Sequence, residues 1–496
     1  MRKLFSFSFF IVGISLFLSC EEEASSSETE VDDTDPCLIE PVYTSFQAQI
    51  DASSDGDTII IDPGTYEGTV NFNGKNIVLG SQFLTTGDTS YIRTTIINAK
   101  QKGSVVRFEN NETNGAALVG LTLTGGYAVE GAGIYINGAE PTLRDLRVVE
   151  NAAYTCEVGE FFKGAAGGGI FINGSSPVLE RITVRENSSE ADGGGVYLSN
   201  SDANLTLVTI FQNTAADFGG GLFTNYSTSK VLHVEIAQNS SSKGGGVYAM
   251  SFSDLSFENS NVGDNTASSE GGGFYLSGSK VKLLNVVLRD NTANDQGGSY
   301  FLQGGTIELM NTISHGGSPQ EVYSSSSGNL VKSSYSLLAG GVEGIEMNNA
   351  GEVNWMEGNV DGEPGFSDAG EGCIWEVDRT FLGFFPKSIC VDAGNPFSTY
   401  NDIPQGPEKW CLWWMVWRAE GGDPNATEGE REVFPETNTD RNDIGAYGGP
   451  NGGWFESERT VYETKEMCIE YRDFFNSMPK PGTLMARCKR ADPVSK

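Results

Sequence analysis

The chain has 496 residues, with 66 acidic against 32 basic side chains and a net charge of −34. That balance excludes nucleic acid as a partner, because its binders carry a basic face. It suits an exposed, cation-attracting surface. Only His233 and His315 are present, which nearly excludes a metal site built on histidine.

Residues 1–20 read as a targeting segment. Arg2 and Lys3 precede a 15-residue apolar run, Leu4–Leu18, short of the ~20 residues that a membrane span needs. The run closes on Leu16-Phe17-Leu18-Ser19-Cys20, which resembles a bacterial lipoprotein signal. The resemblance implies export, lipidation of Cys20 and an outer-membrane lipoprotein anchored by that lipid alone; the alternative is an ordinary secretory signal. Residues 21–36 hold eight acids and no base, so they self-repel as a disordered tether. Acids directly after such a cysteine resemble the surface-export signals of some Bacteroidetes-like lipoproteins, which implies the cell surface.

Residues 37–350 are expected to form one solenoid. Its opening carries Gly56-Asp57-Thr58-Ile59 and Pro63-Gly64-Thr65-Tyr66 after a short capping helix. This resembles the start of pectate-lyase-like β-helix proteins. Asp51, Asp55, Asp57 and Asp62 read as turn residues there, with calcium binding as the alternative, for which Asp51, Asp55 and Asp57 are the candidates. Calcium is the one cofactor left open.

From residue 131 to 302 a phrase recurs, seen at Gly167-Gly168-Gly169-Ile170-Phe171-Ile172, Gly193-Gly194-Gly195-Val196-Tyr197-Leu198 and five other places. Asn151, Asn187, Asn213, Asn239, Asn265 and Asn291 are spaced by 36, 26, 26, 26 and 26 residues, the first interval holding an insertion around Cys156–Lys163. A fixed period of this size means stacked repeats. Apolar residues three and five before each asparagine lie on one strand face, and β-branched residues dominate. About three short strands per repeat make one coil of a parallel β-helix, at a rise of ~4.8 Å. The asparagines are expected to form a structural ladder, each amide bonding to the coils on either side. The glycines permit a bend and close approach between coils.

The repeats resemble those of polymorphic outer-membrane adhesins and of right-handed parallel β-helices in general. That implies an all-β fold, a single-stranded right-handed parallel β-helix with caps containing short helices. It implies little about activity, since lyases, hydrolases, epimerases and adhesins share the scaffold.

Two columns carry candidate chemistry. Tyr135, Phe171, Tyr197, Phe223, Tyr248, Tyr275 and Phe301 occupy the outward position after the glycines. They form either a platform for sugar rings or a partner, or a self-stacked file that holds register. On the adjoining edge lie Asp192, Asp217 and Lys243, with Lys163, Glu270 and Asp295. Carboxylates on adjacent coils can meet at the ~5–9.5 Å separation of glycosidase pairs, and Asp192 with Asp217 is the pair to test first, against the alternative of a solvated rim. Arg181 and Arg185 are the cations that a uronate lyase would need. The polygalacturonase pattern is rejected, because Asn438-Thr439-Asp440 follows His315 instead of preceding it.

Residues 351–450 read as a closing segment with a tryptophan-rich insertion. Trp410, Trp413, Trp414 and Trp417 share one helical face, either a cap or a glycan or membrane contact. Residues 451–496 read as a helical tail. Export permits disulfides, with Cys468–Cys488 and a bridge among Cys373, Cys390 and Cys411 as candidates. The resulting expectation is a monomeric surface protein that binds a polysaccharide or a neighbouring surface protein without chemistry of its own. A calcium-assisted polysaccharide lyase and a structural spacer are the alternatives.

Overall fold

A computed structural model describes residues 39–158, 161–348 and 351–364. Cys20, the acidic tether, the tryptophan-rich insertion, the tail and all the cysteines named above for disulfides lie outside the described residues.

The described chain winds into a parallel β-solenoid with three sheets running along it. Sheet A has eleven strands, from Val70–Asn71 to Ile345–Met347, and contains every strand that follows the repeated glycines. Sheet B has nineteen short strands, from Thr58–Ile61 to Glu352–Trp355, usually two per coil with a bend between them. Sheet C has seven very short strands, from Tyr127–Ala128 to Thr292–Ala293. Glu352–Trp355 pairs in register with Leu330–Ser333, so the ladder runs past residue 350.

Register follows the sequence period. Ile170, Phe171 and Ile172 face Val196, Tyr197 and Leu198, which face Leu222, Phe223 and Thr224. Strand alternation puts Val196 and Leu198 inside, both fully buried, and Tyr197 outside. Inward aliphatic side chains of successive coils build one continuous core. Each contributes about 1.5–3 kcal/mol through burial.

The asparagine column is a ladder in the sense expected. Nδ2 of Asn151 donates to Oδ1 of Asn187 at 3.0 Å, and the same 3.0 Å bond links Asn187–Asn213, Asn213–Asn239, Asn239–Asn265 and Asn265–Asn291. Each Oδ1 also accepts the backbone N–H of the asparagine one coil earlier, at 2.9–3.1 Å. All six side chains are at most 1% exposed. The third glycine of each phrase makes room for this file. A Cβ on Gly195 would lie 2.6 Å from the Gly221 carbonyl oxygen and 3.0 Å from Asn213 Nδ2. Only the first glycine, as at Gly193 with φ of 62°, needs the left-handed backbone.

The bend in sheet B is a second repeating device. Asp145, Arg181, Leu207, His233, Asn259, Asn285, Asn311 and Tyr335 each adopt φ of 49–56°, one per coil. A serine file runs inside as well, where Ser201 Oγ accepts from Ser175 N at 3.3 Å and Ser227 Oγ from Ser201 N at 3.2 Å.

Both ends of the regular region are chemically finished. At the start, helix Gln47–Ala52 buries Ile50 against the core, while Gln47 bonds Asn71 through both its amide groups, at 2.7 and 3.0 Å. This satisfies a strand edge that would otherwise template another chain. Beyond Asn291 the asparagine file gives way to buried Glu321, which accepts from Ser299 Oγ, Ser314 Oγ and Gly317 N at 2.6–2.8 Å. The insertion is an antiparallel hairpin, Cys156–Val158 with Phe161–Lys163.

Asn213→Ala leaves two Asn187 donors without their acceptor and the Val184 carbonyl without its donor. We expect it to lower stability in urea by about 3–5 kcal/mol. Thr214→Ala, on the exposed side of the same turn, is expected to cost under ~1 kcal/mol. Equal effects would disprove the ladder's contribution.

Candidate functional site

The outer surface of sheet A brings together most of the candidate residues. The seven predicted aromatics stack face to face, one per coil, with centroids 4.6–5.6 Å apart and planes within 4–17°. The file continues to Tyr323, whose ring lies 5.5 Å from Phe301. At the other end, the Arg107 guanidinium caps Tyr135 at 4.1 Å from the ring centroid, held by Glu109 at 2.6 Å. Tyr323 escapes sequence reading because no glycine phrase precedes it, and Arg107 because it belongs to an irregular early coil.

Stacking decides what this file can offer. Phe171, Phe223, Tyr248, Tyr275, Phe301 and Tyr323 are buried, and Tyr135 and Tyr197 are half-buried. Ring faces are spent on neighbouring rings, at ~0.5–1.5 kcal/mol per pair. Only ring edges and hydroxyls remain for a ligand. A column that is polar except at Met250 runs beside the file, through Asn137, Asn173, Ser199, Asn225, Met250, Ser277 and Gln303. Within it Asn173 donates to Asn137 at 2.9 Å, and Gln303 accepts the Tyr275 hydroxyl at 2.9 Å.

On the opposite side, where sheet C turns into sheet A, Asp192 and Asp217 sit on adjacent coils. Burial, then repulsion from Asp217, pushes the Asp192 carboxyl up to about 7, against a hydrogen bond from the Phe218 backbone. Its Oδ1 is buried with no hydrogen-bond partner. Asp217 is exposed. Burial, and then the Asp192 charge, raise the Tyr197 and Tyr248 hydroxyls to about 12. Lys243 lies further along the same edge but pairs with Glu270 at 2.7 Å, and Lys163 pairs with Glu130 at 3.0 Å.

The two arginines stand elsewhere. Arg181 occupies the bend of sheet B and forks onto Asp145 at 2.7 and 3.1 Å, with Glu180 also bound. Arg185 ends the same strand and pairs with Glu186 at 3.0 Å. The corner at Glu186 and the whole of sheet C separate them from Asp192, so the structure assembles no site from these four residues.

The calcium candidates do not converge. Asp51 accepts from Gln47 and Asn73, Asp55 from the Asn76 backbone, and Asp57 from the Ser54 backbone, at 2.8–3.0 Å. Backbone and side-chain bonds from Asn76 lower the Asp55 pKa. Among the described residues no group of three or more His, Cys, Asp or Glu could hold a metal ion. These aspartates bond within the turns that feed the first coils.

The family described as right handed beta helix region matches residues 89–262 and 168–334, the span that contains the glycine and asparagine repeats. No curated protein matches the chain. The matched span and the three in-register parallel sheets identify the fold as a right-handed parallel β-helix.

Proposed function

We propose that this chain is a lipid-anchored protein of the outer cell surface that binds an extended polysaccharide and does no chemistry on it. One observation carries the reading: the outer surface of sheet A repeats from coil to coil in strict register, with an aromatic edge beside an amide or hydroxyl on each repeat coil except that of Met250. A repeating surface suits a repeating ligand. On the flanking edge Lys163 and Lys243 are each paired with a glutamate. The anchor is Cys20, with the acidic segment after it as spacer; a neighbouring surface protein is the other partner that this surface would suit.

A second reading is favoured by Asp192. A carboxyl that holds its proton near neutrality beside a second carboxyl is the arrangement of an acid–base pair in a carbohydrate-active enzyme. It would work without the lyase cations, since Arg181 and Arg185 are neutralised on sheet B.

Gel retardation of the mature chain by neutral and acidic polysaccharides separates the readings, with ultraviolet absorbance and reducing ends followed in parallel. Retardation without product supports binding alone; turnover, or no retardation by any polymer, overturns it. Cys20→Ala is expected to move the protein out of the membrane fraction and to abolish labelling by radioactive palmitate; a variant that stays with membranes refutes the anchor. Asp192→Asn tests the buried carboxyl itself. An aspartate whose pKa is raised in the fold binds its proton more tightly there, so its cost is absent below the unfolded value near 3.8 and grows as pH rises towards 7. The variant should therefore gain melting temperature over the parent at pH 8, with the gain shrinking towards pH 4. A gain independent of pH would show that Asp192 is ordinary.

A further inference from the structure

Among the described residues, two neighbouring rings stand largely in solvent. Phe252 is 83% exposed and Tyr226 57% exposed, by far the most open aromatic pair among the described residues. They stand on adjacent coils at the corner just after sheet A, with centroids 6.4 Å apart and planes inclined by 36°.

The backbone at this corner is not built for them. Equivalent positions on the flanking coils are Gly174, Asn200 and Gly278, residues that accept a left-handed conformation readily. Tyr226 holds φ of 48° at that position, and on the next coil Ser251 fills it at 55° and is followed by Phe252 at 64°, a conformation that bulky residues avoid. The second coil also carries an extra residue. One residue separates Asn225 from Ser227, but two separate Met250 from Ser253, and the added one displays Phe252. Strain and an insertion that together expose two rings are opposite to what stability alone selects.

We propose that Tyr226 and Phe252 form a docking point for a pyranose ring of a neutral glycan. Open ring faces pack on the apolar face of a sugar, and the buried file of sheet A has no such faces to give. The polar column of sheet A runs past this corner, and the buried Oδ1 of its member Asn225 has no hydrogen-bond partner. Asn200 and Ser199 lie on the preceding coil, so amides and a hydroxyl border the rings. The net charge of −34 disfavours a polyanion over a neutral polymer. This inference rests on the glycan-binding reading above and locates it at the corner.

The test uses the mature chain with Tyr226→Asn, Phe252→Asn and the double variant, copying Asn200. Titration calorimetry with cellohexaose, xylohexaose and mannohexaose reports the site. The double variant should bind at least about tenfold more weakly, while its melting temperature stays equal or rises by about 1–3 °C as the strain is relieved. Unchanged affinity in the double variant would overturn the site and leave surface glycan binding standing. Wild-type binding to acidic polymers alone would overturn the neutral ligand. Silence towards every glycan would overturn both. Sedimentation with anionic lipid vesicles, abolished in the double variant, would reassign the pair to a membrane contact.

Discussion

The structure depends on one interaction, the hydrogen bond that each buried asparagine makes to the next. An amide both donates and accepts, so a column of amides can satisfy itself without water. In a sheared or slipped stack, every member would lose partners at once, at ~1–3 kcal/mol for each unsatisfied group. The ladder therefore enforces the register that lays Tyr197 on Phe171 and Val196 on Ile170. Register in turn makes the outer surface repetitive. The glycines serve the same end, since a side chain at Gly195 would strike the neighbouring carbonyl and the Asn213 amide.

The division of labour among the aromatics follows from that geometry. A coil rise near 4.8 Å places outward rings at stacking distance, so an aromatic at every coil consumes its neighbours' faces. The file is thereby stiff and largely closed. Asp192 lies on the edge beside this file, and burial, with repulsion from Asp217, is what keeps its proton. Rings that leave the file, as Tyr226 and Phe252 do, regain open faces but must occupy a corner shaped for glycine. Rigidity and accessibility are thus supplied by different residues of the same type.

Much of this was legible in the chain before any coordinate. The 26-residue period, the inward aliphatics and the amide ladder all rest on like residues recurring at fixed places, and the capping helix on the Gly56-Asp57-Thr58-Ile59 and Pro63-Gly64-Thr65-Tyr66 motifs that follow it. The bend of sheet B was not legible, because Asp145, Leu207, His233 and Asn285 share a backbone conformation but no chemistry. The serine file at Ser175, Ser201 and Ser227 kept the same period and was there to be read. Tyr323 was hidden by the loss of its glycines. Arg181 and Arg185 misled because spacing gives proximity along a strand but not which carboxylate answers, and Asp145 and Glu186 answer them. The raised proton affinity of Asp192 depends on what covers it, which no pattern encodes.

Glu321 has a consequence for the length of the molecule. A carboxylate takes hydrogen bonds and gives none, and its three bonds from Ser299, Ser314 and Gly317 face back towards the coils already wound. The relay of amides stops at that chemistry. Extra copies of the 26-residue unit spliced between Asn187 and Asn291 would simply lengthen the rod, because each would arrive with its own relay member. The same units grafted after residue 321 would follow Gly317, which stands where the period would put the next asparagine, so they would be cut off from the amide file that ends at Asn291.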